Sequence, residues 1–267
     1  MTRESYTHGH HPSVLASHTW RTVENSAAYL IPHLAPGLDV LDVGSGPGTI
    51  TVDLAERVAP GRVTGVDAAP GIVEQAQALA DERGLGNVRF AVADAYELDL
   101  PDASVDIAHA HQVLQHVARP VDVLREMRRV VRPGGVVAAR DVDYSGTMWF
   151  PLLPGLAEWL DLYLRVHRGN GGEPDAGRRL KSWARAAGFA SVASSASIWC
   201  FASDDERAWW GGSWAERATE SQFAADAVDN GYATRADLER IAAAWREWAE
   251  PPDGWFAMPH GEILARD

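Results

Sequence analysis

The sequence predicts an α/β fold: a doubly wound parallel sheet with helices on both faces and a helical insertion near the C-terminus. Three observations carry that expectation. Short, β-branched apolar runs alternate with helix-spaced segments from about residue 38 to residue 143. The first run stops at a glycine-rich turn, and the second and third stop at aspartates. Beyond residue 148 the pattern turns largely helical and takes in ten of the eleven tryptophans. Strand–helix alternation demands crossover connections and hence parallel strands buried on both faces. Right-handed crossovers then give a doubly wound sandwich.

The elements follow in order. Val23, Ala27, Leu30 and Ile31 share one face at helical spacing, which predicts a helix over 21–34 closed by "PG" at 36–37. "LDVLDVG" (38–44) reads as the first strand, and "GTITVDLAERVA" (48–59) as the helix after it. "GRVTGVDA" (61–68) is a second strand, "GIVEQAQALADERG" (71–84) a helix closed by glycine, and "NVRFAVAD" (87–94) a third strand. "VDIAHAH" (105–111) is a fourth strand running into a helix at "QVLQHV". "DVLREMRRVV" (122–131) is a further helix, and "RPGGVVAARDVD" (132–143) a turn and a fifth strand. Residues 155–189 read as two helices around the glycine-rich "HRGNGGEPDAG", which is either a lid hinge or an ordinary connection. Residues 190–203 are strand-like, 204–250 helical, and 254–266 a last strand.

Composition bounds the function classes. The 267 residues carry a formal net charge of −13 at pH 7, which disfavours nucleic acid and anionic lipid as partners. The lone cysteine, Cys200, excludes an intramolecular disulfide and sits in the apolar "SIWCFA", where a buried strand position is expected. The polar start of the chain has no apolar signal core, and no apolar run is long enough to span a bilayer, so a cytoplasmic location is the expectation.

The chemistry concentrates at strand tips. "LDVGSGPGT" (41–49) places Gly44, Gly46 and Gly48 in a G-x-G-x-G turn between a strand and a helix. The nicotinamide fingerprint needs its third glycine at position 49, where Thr49 stands. Asp67 ends the second strand, nineteen residues past Gly48, where a carboxylate can accept from both hydroxyls of a ribose. Asp94 ends the third, where an acceptor suits the exocyclic amine of adenine. Alone, Asp67 could cap the next helix and Asp94 could hold a turn. In series on consecutive strands they outline a nucleoside pocket. "HAHQVLQH" (109–116) holds three histidines, but His116 lies beyond the strand and no carboxylate stands at ligand spacing, so no metal site is expected.

In "LDVGSGPGT", "VTGVDAAP", "VADAYEL", "DIAHAHQVLQHV" and "RPGGVVAARD", in that order and spacing, the chain resembles the class I S-adenosylmethionine-dependent methyltransferases over about residues 20–143. The resemblance implies a Rossmann-like sheet of seven strands, the last antiparallel, and S-adenosyl-L-methionine as cofactor. It implies that Gly44, Ser45, Gly46, Gly48 and Thr49 cradle the methionyl part and that Asp42 helps position it. It further implies that Asp67 with Ala68 binds ribose, that Asp94 with Ala95 reads adenine, and that Ala110, His111 and Gln112 face the methionine end. His111 is the candidate catalytic residue, as a cofactor contact or a base, or else it lines the wall. Asp141 and Asp143 are further candidate bases, and His116 is read as structural.

The expected organisation is an arm or lid at 1–20, a core at 21–203, helices at 204–250 over the substrate site, and a final core strand at 251–267. Most tryptophans are expected in the core, while "AWWGG" must turn one indole away from its helix's buried face. "TVENSAAYL", "HQVLQHV" and "RPGGVVAARD" are also similar to small-molecule methyltransferases that S-methylate dithiols, such as the enzyme acting on reduced gliotoxin, and to quinone-biosynthesis C-methyltransferases. That resemblance implies an apolar, thiol-bearing small-molecule acceptor. Transfer to oxygen or carbon of a phenol, quinone or polyketide is the alternative, and a cofactor-binding scaffold the non-enzymatic one.

Overall fold

The structure, a computed structural model, describes residues 19–267. Of the expected N-terminal arm, residues 1–18 lie outside the described residues. The helix expected over 21–34 is split. A capping box at Thr22 and Asn25 starts α1 (Val23–Ser26), which breaks at Ala27 (φ −139°). A 3₁₀ turn, Ala28–His33, follows. Pro32 lies inside it, and in an α-helix its ring would meet the Ala28 carbonyl.

Strands and helices then alternate as anticipated: β1 (Val40–Val43), α2 (Thr49–Val58), β2 (Val63–Asp67), α3 (Pro70–Glu82), β3 (Val88–Val92), β4 (Val105–His111), α4 (Pro120–Val130) and β5 (Val131–Val142). No helix follows β4 directly; residues 112–117 form a turn before α4. The second half contains β6 (Met148–Phe150), α5 (Pro154–Gly169), α6 (Ala176–Ala187), β7 (Ser191–Phe201), α7 (Asp204–Glu220), α8 (Gln222–Asp229), α9 (Arg235–Ala249) and β8 (Trp255–Arg266). The sheet order is β3-β2-β1-β4-β5-β8-β6, with β7 on β8. β1 to β5 pair in parallel, and β8 runs antiparallel to β5, β6 and β7. The sheet therefore has eight strands rather than seven. The extra one is the three-residue β6, too short to leave a period in the sequence.

Side-chain parity explains the layers. Val40, Ile107, Val136 and Ala138 join one core with Val23, Leu30 and the buried face of α2. Their neighbours Leu41, Val43, Ala108, Ala110, Val137 and Ala139 join the opposite core with α4 and α6. Successive strand residues point to opposite faces, so near-continuous apolar strands require helices on both. A third core holds α5, α7, α8 and α9 with the ends of β7 and β8. Its centre is fully buried Trp159, whose ring meets Trp214 at 4.7 Å and Trp245 at 4.8 Å, both edge-on. Trp210 is buried in that core, and Trp209 turns away to pack on Trp20 with centroids 5.7 Å apart. Helix α5, which the sequence groups with the 21–203 segment, packs in the same core as 204–249.

The loop between α5 and α6 is tied down as a connection. The Glu173 amide donates to the Gln115 carbonyl (2.8 Å), and Asp175 accepts from the Ser145 amide and hydroxyl and from Arg168. Cys200 is exposed, against the expectation of burial, because it points off the outer face of β7, the strand that pairs only with β8. Among the described residues no helix is long and apolar enough to cross a membrane.

Candidate functional site

The tips of β1, β2, β3 and β4 converge on one cavity of about 400 Å³, within the range of small-molecule sites. Of the residues singled out by sequence, Asp42, Gly44, Ser45, Gly46, Thr49, Asp67, Ala68, Asp94, Ala95, His111 and Gln112 line it. Two do not. Gly48 (φ +87°) ends the turn at the head of α2, and a Cβ there would stand 2.9 Å from Ala76 and Phe90, so it serves close helix–strand packing. Ala110 faces the opposite core, leaving only its backbone toward the cavity side. Gly46 (φ +54°) is the opposite case: a Cβ there would meet nothing within 4 Å, so bare backbone faces the cavity.

Each acid has a local task as well as an open side. Asp67 accepts from the Gly46 amide (3.0 Å) and the Ala69 amide (3.1 Å), fixing the glycine turn to β2. Asp94 accepts from the Tyr96 amide (2.9 Å) and is exposed to the cavity mouth. A carboxylate has about four lone-pair positions, so both retain acceptor capacity toward a ligand. Asp42 is different. Buried, it accepts from the Thr51 hydroxyl (2.5 Å) and pairs with His109 Nδ1 (2.8 Å), which anchors β1, α2 and β4 beneath the glycine turn.

At the β4 end the cavity meets a polar belt on the α1/α2 face of the sheet. The same parity that deeper down gives Val40, Ile107 and Ala138 gives Asp42, His109, His111 and Arg140 near the strand tips, and register sets His111 beside Arg140 and Arg140 beside Glu262. Gln112 holds a left-handed conformation (φ +55°), unusual outside glycine and common at functional turns. Its Oε1 accepts from Arg21 (2.8 Å), and its amide nitrogen donates to His260 Nε2 (2.8 Å). His260 in turn donates from Nδ1 to the Met258 carbonyl (3.0 Å). Burial holds the His111 and His260 imidazoles well below the usual histidine range, and the Arg21 and Arg140 charges push His111 further in the same direction. His111 is thus a neutral, feeble base, and neither ring nitrogen has a partner among the described residues.

The other candidate bases lie off the cavity. Asp141 turns to the 112–117 segment, where it accepts from the Gln115 amide (3.0 Å); burial pushes its carboxyl up to about 8. Asp143 is paired with Arg178. His116, read as structural, stands on the cavity wall and contacts the Gln115 amide nitrogen at 2.9 Å. No cluster of three metal-ligating side chains occurs among the described residues.

Sequence reasoning missed Arg21, Arg140, Trp199 and His260. Arg140 alone left a signal, a charge inside the apolar run "VVAARDV". The others reach the site from distant segments that no spacing connects.

The residues present fit S-adenosyl-L-methionine: an exposed glycine backbone, two acids with spare lone pairs on successive strands, and an aromatic and imidazole wall beyond. Known proteins agree. Residues 34–188 match the family described as a methyltransferase domain. The chain is 34% identical over 267 residues to an uncharacterized methyltransferase of Schizosaccharomyces pombe, covering 97% of this chain and 95% of that one. It is 29% identical over 281 residues to a probable methyltransferase of Aspergillus luteorubrus, covering 98% and 96%. Its fold superposes on phosphoethanolamine N-methyltransferase 2 of Haemonchus contortus, solved with S-adenosyl-L-methionine, with a TM-score of 0.53 at 16% identity, covering 88% of this chain and 49% of that one. The motifs at the strand tips, the matched domain and the full-length relatives converge: the chain belongs to the class I S-adenosylmethionine-dependent methyltransferases.

Proposed function

We propose that the enzyme methylates sulfur in a small, largely apolar thiol or dithiol metabolite. Asp67 accepts from the ribose hydroxyls, Asp94 with the Ala95 backbone reads adenine, the Gly44–Gly48 turn holds the methionyl part, and His111 and Gln112 border the methyl. Bound there, S-adenosyl-L-methionine supplies an electrophilic methyl group on a sulfonium sulfur. The protein's contribution is alignment of a nucleophile in line with that carbon and exclusion of water.

One observation supports sulfur: among the described residues, no strong base faces the methyl end. His111 is buried and weakly basic, Asp42 is spent on Thr51 and His109, and Asp141 and Asp143 point elsewhere. A thiol ionises near neutral pH without help, whereas a phenol or an acidic carbon needs its proton withdrawn. The wall around His111 includes Trp199, with ring centroids 5.6 Å apart. Incubating the purified chain with methyl-labelled cofactor and a panel of dithiols, phenols and quinols tests the assignment. Label should enter thioethers. Label found only in methoxy groups or on ring carbon would overturn the sulfur assignment and leave methyl transfer standing.

A further inference from the structure

The polar belt beside His111 contains more hydrogen-bond donors than the described residues satisfy. Arg140 is 1% exposed. Its Nε donates to Ser197 Oγ (3.0 Å) and to Glu262 Oε1 (3.3 Å), and its guanidinium carbon stands 4.9 Å from the Trp199 ring centre. Glu262 also accepts from the hydroxyls of Ser195 (2.7 Å) and Ser197 (2.5 Å). Its carboxylate is therefore well supplied, while Nη1 and Nη2 of Arg140 have no partner among the described residues. Among the same residues, neither the Tyr29 hydroxyl, whose ionisation burial disfavours and the Arg140 charge favours, nor either ring nitrogen of His111 has one.

The hydrogens decide what would fit. The two Nη groups offer four N–H donors, Tyr29 one O–H, and neutral His111 one N–H. Among the described residues, the second His111 nitrogen and the Tyr29 hydroxyl oxygen are fewer acceptors than these donors need. A buried donor without a partner is a cost that a ligand oxygen removes. Arg140 also borders a second cavity of about 280 Å³, with Ser197, Trp199 and Glu262 beside it and Trp20 and Cys200 toward the outside. Trp199, which borders this space, also touches the edge of the cofactor cavity: its ring centroid lies 5.6 Å from that of His111, and the Arg21 guanidinium stands 5.6 Å from its ring centre.

We infer that the methyl acceptor carries a carboxylate, which enters through the second cavity and is gripped bidentately by Nη1 and Nη2 of Arg140, with the Tyr29 hydroxyl as a third donor. A planar fork with both outer nitrogens unused matches a carboxylate in shape and charge, and the Trp199 face keeps the fork oriented. The site sits one residue pair from His111, so an anchored acceptor would hold its nucleophile toward the cofactor's methyl end. The inference rests on the small-molecule acceptor proposed above and narrows it to acids.

The test uses the full chain saturated with S-adenosylhomocysteine, with benzoate and its neutral isostere benzamide as probes, followed by tryptophan fluorescence and calorimetry. Benzoate should bind at least tenfold more tightly than benzamide. Arg140→Gln should erase that preference while S-adenosylhomocysteine still binds, which also shows that the variant is folded. Should Arg140→Gln fail to fold, Tyr29→Phe decides: it removes one hydroxyl and should weaken benzoate at least threefold with benzamide unchanged. Equal binding of the two probes, no binding of benzoate, or a preference that survives these substitutions overturns the inference. Failure of the unaltered chain to bind S-adenosylhomocysteine would instead strike at the cofactor reading, so the two failures are distinguishable.

Discussion

Asp67 holds two amides and, in the function proposed above, the ribose as well, so a substitution there tests the cofactor role by itself. Its carboxylate fixes the Gly46 and Ala69 amides and keeps lone pairs for the ligand. Asp67→Ala should weaken cofactor binding by about 1–3 kcal/mol, since a sugar hydroxyl pair loses its acceptor. By calorimetry that is roughly a 5- to 150-fold rise in Kd. Unchanged affinity would remove Asp67 from the site. His111 calls for a different readout. Because burial and two arginines hold its imidazole neutral, kcat should show no inflection near pH 6.5, and His111→Ala should act on KM more than on kcat. A limb near pH 6.5 that vanishes in His111→Ala would make His111 the base after all.

At the scale of elements, the tightest junction is where α6 meets the β5–β8 pair. A Cβ on Gly177 would stand 2.7 Å from the Gly261 amide nitrogen and 2.8 Å from the Asp141 carbonyl oxygen. Those are backbone atoms of a paired ladder and have no rotamer through which to yield. Gly177→Ala should therefore destabilise by about 1–3 kcal/mol, an overpacking effect seen as a melting temperature several degrees lower. Gly212, on α7 with open space around it, is the matched control: Gly212→Ala should be neutral or slightly stabilising. The same elements show what could be read in advance. The strands other than β6, and α2, α3 and α4, were legible because their apolar periods repeat over several turns or pleats. Residues 112–117 were not. Val113, Leu114 and Val117 have helical spacing, yet the Gln115 backbone is claimed by His167, Glu173 and Asp141 from three other segments. Tertiary partners outbid a local helix there. That Asp67, Asp94 and the glycine turn would meet at one cavity could be read because they stand at or just past the ends of three consecutive strands. Arg21, Arg140 and His260 could not, because strand register and a chain of side-chain bonds bring them together across more than a hundred residues.

For the whole molecule, stability against pH follows from the groups whose titration folding shifts. Among the described residues, His111, His260 and His167 are held below the ordinary histidine value of 6.5 by burial, His167 down to about 4. Their neutral forms are favoured by the fold, so the stability they contribute is present above pH 6.5 and is lost as pH falls below it. Asp141 works the other way. Its carboxyl, raised from 3.8 to about 8, is protonated in the folded chain and ionised in the unfolded one between those values, so stability is lost as pH rises toward 8. The lowered carboxyls of Glu24, Asp39, Glu126, Glu206 and Asp237 act only below about 4.5, and Tyr29, Tyr144 and Arg140 only near or above 10. At pH 5 the unfolded chain therefore binds up to three extra protons on histidine and the folded chain one on Asp141, so stability climbs with pH. Above 6.5 the histidine contribution fades, and the sign reverses. Thermal melts should peak near pH 6.5 and fall on both sides, the upper fall staying below about 1 kcal/mol by pH 8, because Asp141 is itself half ionised there and the histidines still titrate just above 6.5. Asp141→Asn keeps the side-chain oxygen for the Gln115 amide but cannot ionise. It should abolish the upper fall, steepen the climb on the acid side by about one proton's worth, and move the maximum to higher pH. A variant whose melting temperature still drops between pH 6.5 and 8 would show that some other group carries that slope.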